Sequence, residues 1–294
     1  MTTIGTQNTV SFVLRHKYFQ QALQVALRNS LISEKICNVD HSELKTIENP
    51  YITNQTATIQ AVAGTYTTTA MTTTEDSLSV ADEVWAATHV FDFESRTANF
   101  NLVANFLDDL IYSVAFKTDQ FVLNKVLDMA TGTYSTPAGG FTTAANVAVI
   151  CANLLSKIGG YQSGVASSPF LVVENTDLVG ILQTQVASGF SYADSALKNG
   201  LVVEYMGIKI YVIRTGTFVT GTLGTLTAAN SGHRLFGISN LATFASPRNI
   251  QYKEVDVPAG TGTGRLGKEC VAWALVGAKI WAPHTGLFVD ITLV

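Results

Sequence analysis

Positive charge is missing from a long internal stretch of this chain. Residues 46–95 contain neither Lys nor Arg, yet they hold seven acids: Glu48, Glu75, Asp76, Asp82, Glu83, Asp92 and Glu94. Charge of either sign is scarce elsewhere too. Only 14% of the 294 residues are charged, against about 25% in ordinary soluble proteins. Since 47% are apolar, the core is ample and much of the surface must be neutral Thr, Ser, Asn and Gly. A neutral surface is suited to being covered by other subunits. Cysteine is rare as well. Cys37, Cys151 and Cys270 are scattered and odd in number, which excludes a disulfide framework and a CxxC metal site. We expect them to be reduced, buried thiols in a protein made in the cytoplasm. No run of about 18 apolar residues goes uninterrupted, which excludes an ordinary membrane-spanning helix. The first ten residues lack the basic and apolar blocks of a secretion signal.

Catalytic motifs are also lacking. The histidines, His16, His41, His89, His233 and His284, form no HExxH, no HxH and no cluster with cysteine. No metal and no cofactor is expected. There is no GxSxG nucleophile elbow. Asp108 and Asp109 adjoin on a helical pattern, where neighbours diverge by about 100°, so they are not a paired acid and base. Gly262-Thr263-Gly264-Arg265-Leu266-Gly267 fits GxGxxG, and 262–268 fits GxxxxGK. Both patterns cradle phosphate where a strand turns into a helix. The context is wrong, because 269–281 has no helical stripe and Glu269 stands where a phosphate loop needs Ser or Thr. An inter-strand loop is the better reading. A phosphate-ligand α/β enzyme using Gly262 to Lys268 is kept as an alternative.

What the chain does have is threonine, ten between positions 53 and 74. Thr, Val, Tyr and Trp favour extended chain. Two β limbs are predicted at 57–69 and 78–93, with a polar tip at 71–77. A limb of about 15 residues reaches about 50 Å at roughly 3.3 Å per residue, whereas a compact domain of this size has a radius of gyration of about 19 Å. An isolated hairpin is marginal in water, so a projecting one needs a partner. Residues 1–45 carry five bases and three acids, +2; 46–95 carry −7; 96–294 carry thirteen bases and twelve acids, +1. This asymmetry hints at head-to-tail complementarity. No basic patch suits sequence-specific DNA binding.

Periodicity supplies the remaining elements. A helix is expected at 12–32 and turn-like chain at 38–50. A long helix follows at 99–130, striped by Leu102, Val103, Phe106, Leu107, Leu110, Ile111, Val114, Val122, Leu123, Val126 and Leu127, capped by Asn99 or Asn101 and stopped by Gly132. Beyond a loop at 131–140 come a helix at 141–158, a buried strand at 170–174 and a helix at 176–187 capped by Asn175 or Thr176. A hairpin at 201–205 and 208–213 turns on Met206-Gly207. After a Thr/Gly loop at 216–232 comes a strand at 233–238. Strands at 250–257, 269–281 and 287–294 are expected to return to the long helix as a second lobe. The fold class is α+β. Near the root of the hairpin lie Trp85, Phe91, Phe93 and Phe100. Tryptophan dominates binding energy at interfaces, and acids can steer assembly onto a basic neighbour. Glu75, Asp76, Asp82, Glu83 and Trp85 are the candidate assembly residues.

The order of these parts resembles the major capsid protein of tailed bacteriophages, the Johnson fold shared with encapsulins. The local stretches that carry the resemblance are Phe170-Leu171-Val172-Val173-Glu174-Asn175 with the helix after it; Ala193-Asp194-Ser195-Ala196-Leu197-Lys198-Asn199-Gly200 with the hairpin through Gly207; and His233-Arg234-Leu235-Phe236-Gly237 with 241–245. The resemblance implies an N-terminal arm at 1–48, an extended β-hairpin arm at 49–95, a peripheral lobe with its spine helix at 96–131 and 246–294, and an axial lobe at 132–245. It implies hexamers and pentamers in an icosahedral head that encloses DNA non-specifically, in a virion assembled in the host cytoplasm, with no membrane and no enzymatic activity. Portal, decoration and separate scaffold proteins are the partners it suggests. Some members crosslink an arm lysine to a neighbour's asparagine; this chain has no Lys between Lys45 and Lys117, so that chemistry is not expected. Only about 45 residues precede the arm, so we expect a separate scaffold or none. An encapsulin-like nanocompartment is the alternative within the fold.

Overall fold

The computed structural model describes residues 31–40, 42, 44–52, 59, 64, 72–91, 102–159, 168–187, 204–245, 251–257 and 267–294. Nearly all of the expected helix at 12–32 lies outside them, as do Phe93, Phe100 and Gly262 to Leu266. A short helix α1 (Ser33–Ile36) leads the described chain. The long helix is α2 (Leu102–Met129), 28 residues and about 42 Å at 1.5 Å per residue. Its buried residues Leu110, Val114, Phe121, Val122, Val126 and Leu127 recur at helical spacing.

Two sheets flank this helix. One orders β1 (Asn38–Asp40), β14 (Ala242–Ala245), β16 (Gly267–Ile280) and β15 (Gln251–Val257), with β6 (Asp82–Phe91) also paired to β16. Four of the inward side chains of β16 are small: Cys270, Ala272, Ala274 and Ala278 join Val276 and Ile280 in the core against α2, so the helix can pack close. The other sheet orders β7 (Gly132–Ser135), β17 (Val289–Thr292), β13 (His233–Ile238), β8 (Pro169–Glu174), β10 (Ile208–Ile213) and β9 (Glu204–Tyr205). Every residue of β8 is buried. Phe170 and Val172, with Leu235 and Phe288, join the α2 core. Leu171 and Val173, with Phe236 and Ile238, instead meet α3 (Ala144–Lys157) and α4 (Leu178–Ala187). The six-stranded sheet is therefore a middle layer between two cores, as period-two alternation allows.

The strands at 170–174, 208–213, 233–238, 251–257 and 267–280 stand where the sequence puts them. Met206 and Gly207 turn their hairpin with φ of 51° and 76°, the doubly positive geometry that tight hairpins favour. Other segments differ. Asp82–Phe91 is not an arm limb; it pairs with β16 from Asp82↔Val276 to Phe91↔Gly267, because this puts Val84 and Ala86 against the α2 core. The hairpin stem is β2 (Thr46–Glu48) on β5 (Ser77–Ser79) and β3 (Tyr51–Ile52) on β4 (Thr73–Thr74). The expected tip at 71–77 is therefore mostly stem, and nearly all of the expected limb at 57–69 lies outside the described residues. The turn-like stretch at 38–50 holds β1 and β2. The loop at 131–140 holds β7, and that at 216–232 holds the hairpin β11 (Thr220–Leu223) and β12 (Leu226–Ala229). Two strands cross the expected lobe boundaries. β17 joins the six-stranded sheet, where Val289 and Ile291 are buried, and β14 joins the sheet of β16.

Candidate functional site

The outer face of the β6–β16–β15 sheet is divided in two. Side chains alternate along β16, so Val271, Trp273, Leu275, Gly277 and Lys279 share the face turned away from α2. At one end of this face the hairpin stem is seated. Leu78 and Val80 bury themselves with Ala245 and Trp281, and Ile47 packs alongside. A Cβ on Gly277 would stand 3.2 Å from Val80 Cγ2 and 3.4 Å from the Ser79 carbonyl oxygen; the stem crosses the strand at this glycine. Trp281 Nε1 donates to Thr243 Oγ1 at 2.8 Å beneath it.

Asp76 locks this seat. Its carboxylate accepts from Lys279 Nζ and, at 2.9 Å, from the Ala282 amide. Lys279 Nζ also donates to the Ser77 carbonyl at 2.6 Å and lies 5.8 Å from the Trp281 ring centroid. Partial burial works against ionising Asp76, but the hydrogen bonds from Lys279 and Ala282 and the lysine charge win, holding its carboxyl below the usual value. Asp82 forms a second clasp. Its Oδ1 accepts from the Thr225 amide at 2.6 Å and its Oδ2 from Thr225 Oγ1 at 2.8 Å, joining the start of β6 to the β11–β12 turn.

The other end of the face is open. Trp85 stands opposite Trp273 in register, with Glu83 opposite Leu275 and Ala87 opposite Val271. On the far side of β16, Lys253 faces Val271 and Val255 faces Glu269. Trp85 is 66% exposed, Leu275 55% and Val255 41%. Glu83, Ala87, Lys253 and Glu269 are exposed around them. Contiguous apolar patches with a polar rim mark interaction sites.

The five residues singled out in the sequence thus separate. Asp76 and Asp82 are engaged within the chain, while Glu75, Glu83 and Trp85 face outward. Trp273 and Leu275 are the residues that sequence reasoning missed. Their signal was present over 270–275, where Cys270, Ala272 and Ala274 alternate with Val271, Trp273 and Leu275 and only the small ones face the helix. No group of three His, Cys, Asp or Glu among the described residues is placed to hold a metal, and no described helix is long and apolar enough to cross a membrane. The three cysteines are buried and unbridged. Burial pushes the Cys151 thiol up to about 12 and, with nearby Asp119, raises Cys37 also. Lys268 lies within β16, so no helix begins after the GxxxxGK pattern and the phosphate-loop context is absent.

Comparison of whole structures is decisive for the fold. A chain from Mycobacterium phage Che8 is similar with a TM-score of 0.65 at 14% identity, covering 85% of both chains. A capsid structure of the cyanophage P-SCSP1u is similar with a TM-score of 0.65 at 13% identity, over 90% of this chain and 88% of that one. This chain has the phage capsid fold. The capsid of a native GTA particle shares it, with a TM-score of 0.61 at 15% identity over 89% of each chain. No family model and no curated protein matches by sequence.

Proposed function

We propose that this chain is the major capsid protein of a tailed phage, self-assembling into hexamers and pentamers of an icosahedral head that encloses DNA. The observation that carries the reading is the capsid fold over some nine-tenths of the chain. A hairpin stem clamped to the body agrees with that fold. In this reading the chain works mechanically, not catalytically. The segment beyond the stem overlaps an adjacent subunit, α2 braces a peripheral lobe on the β16 sheet, and the six-stranded sheet with α3 and α4 is the axial lobe facing the capsomer axis. Each contact is weak, and many together make the shell stable. A body near neutrality confines DNA without gripping it. Scaffold, portal and decoration proteins would be its partners, and the virion its location.

Cryo-electron microscopy of particles from cells expressing the chain tests this. The expected result is a lattice of sixfold and fivefold capsomers with no protein cargo of fixed stoichiometry. A stoichiometric cargo inside closed particles moves the reading to an encapsulin-like compartment. Retained nucleotide binding that is lost on Lys268→Ala would favour the enzyme alternative.

A further inference from the structure

Residues 31–40 are seated on the long helix through a carboxyl with few partners. Leu31, Ile36 and Cys37 sink into the α2 core. The Asn240 amide donates to the Ile36 carbonyl at 2.8 Å, and β1 lies parallel on β14 at the sheet edge. At the start of α1 the partner is Asp119 of α2. It accepts from the Ser33 amide at 2.8 Å and from the Ile32 amide at 3.4 Å. Two amides, one of them distant, are a thin set for an enclosed carboxylate, which has about four acceptor sites. The Ser33 hydroxyl is fully buried beside the same carboxyl, yet it is placed for no well-directed hydrogen bond. A neutral carboxyl suits this set better. It leaves no charge to desolvate, its carbonyl oxygen keeps the Ser33 amide, and its O–H can turn to the Ser33 oxygen.

We infer that Asp119 is a proton-controlled latch on residues 31–40, which sit tight on α2 while its carboxyl is neutral and loosen when it ionises. The surrounding charges do not offset the burial. Lys35 of α1 favours the ionised carboxyl, but it is exposed, and burial outweighs it and raises the pKa. The Cys37 thiol, within the field of Asp119, is itself pushed up by burial and stays neutral. Glu34 and Asp40 are the other charges of the segment, and Asp40 accepts from the Ser42 amide at 2.7 Å. The turn at 239–241 and β14 bring no ionisable side chain, and one turn away along α2 stand Ala115, Phe116, Val122 and Leu123. Ionising Asp119 therefore costs more in the seated segment than in the released one. The seat is strongest in acid and weakens as pH rises through the raised pKa. One turn of helix and a short edge strand make a small unit, of the kind that opens locally while the rest stays folded. This device goes beyond the shell reading and does not depend on it.

The native thiols report on the latch. Cys37 belongs to the segment, whereas Cys151 and Cys270 are buried elsewhere in the body. The unassembled full chain is labelled with 4,4′-dithiodipyridine from pH 4 to 8, with and without low urea, and each site is followed by peptide mass spectrometry. Every rate is divided by that of glutathione at the same pH, which removes the titration of the thiol itself. The expected result is that Cys37 reacts ahead of Cys151 and Cys270, through an opening that low urea barely changes, and that its corrected rate climbs with pH. Asp119→Asn abolishes the climb, because the side chain no longer ionises. Lys35→Met enlarges it, because the cation that favours the ionised carboxyl is gone. A Cys37 that reacts only together with Cys151 and Cys270 overturns the inference, since the segment then opens only with the whole chain. A corrected Cys37 rate that is flat with pH in the parent, or a climb that survives in Asp119→Asn, overturns it also. Should Asp119→Asn fail to fold, the parent profile and Lys35→Met decide, and a climb unchanged by Lys35→Met counts against the latch.

Discussion

Arg234 is the most constrained single residue. It is buried between Glu174 at 3.1 Å and Asp177 at 2.5 Å, and it also donates to the His233 carbonyl at 2.7 Å. Glu174 Oε1 accepts from the Gly216 amide at 2.9 Å, and Glu174 and Asp177 form the capping box that starts the helix before α4. The expected caps, Asn175 and Thr176, are not the ones used. Removing one member leaves buried charge uncompensated, so Arg234→Ala is expected to cost about 3–5 kcal/mol in denaturant unfolding. Asn124 is the polar counterpart on the spine helix. It donates to the Gln120 and Thr217 carbonyls at 2.7 and 2.8 Å and accepts from the Val219 amide at 3.2 Å. Asn124→Ala should cost about 2–3 kcal/mol, since each buried partner left unsatisfied costs about 1–3 kcal/mol, and proteolysis at 214–232 should speed up. Asp119 accepts from the Ser33 amide at 2.8 Å and from the Ile32 amide at 3.4 Å. Burial raises its carboxyl pKa despite these bonds. The folded state therefore holds that proton more tightly than the unfolded chain, and stability falls as pH rises from about 4 through the raised pKa. Asp119→Asn should flatten that slope in denaturant midpoints measured from pH 4 to 8.

At the scale of elements the stem and the sheet face matter most. Asp76 has the opposite sign to Asp119. Its lowered pKa stabilises the seat above the unfolded value, and the stabilisation is lost as pH falls from about 4 through the lowered pKa. Acid should therefore expose Trp281, and Asp76→Asn should do so at neutral pH, both read by acrylamide quenching against the parent. Deleting 55–70, inside the stem, should leave the cooperative melt unchanged and abolish shells; a deletion reaching Asp76 and Ser77 would also unseat the stem. Much of this was legible in the sequence. The spine helix, the strand from Phe170 and the hairpin on Met206-Gly207 follow from local periodicity, and Trp85 stood out as an aromatic near the arm's root. The clasps were not legible, because Asp76 meets Lys279 across 203 residues and Asp82 meets Thr225 across 143. The same gap made Asp82–Phe91 look like an arm limb. Its β pattern was plain, but only the tertiary fold shows that β16 is its partner. Thr and Gly concealed β11 and β12, whose burial rests on Leu226 and Ala228 with Leu223 half-buried beside them.

At the scale of the whole molecule, low charge and an exposed apolar face at Trp85, Leu275 and Val255 support the proposed reading of a subunit completed by its neighbours. The six-stranded sheet ties two cores into one body, with the long helix α2 packed on one of them. Sequence composition pointed to this, since a neutral surface with an acidic, lysine-free arm is more easily explained in an assembly than in an isolated enzyme. The lobe boundaries were less legible, because β14 and β17 each pair with strands distant in the chain. Sedimentation velocity of the purified chain beside its 55–70 deletion, over a concentration series with negative-stain images of each peak, tests the central claim most directly. The account predicts fast-sedimenting shells, tubes or capsomer sheets for the full chain and a folded single subunit for the deletion. A full chain that stays a single subunit at every concentration, or a deletion that assembles as well as the parent, would contradict it.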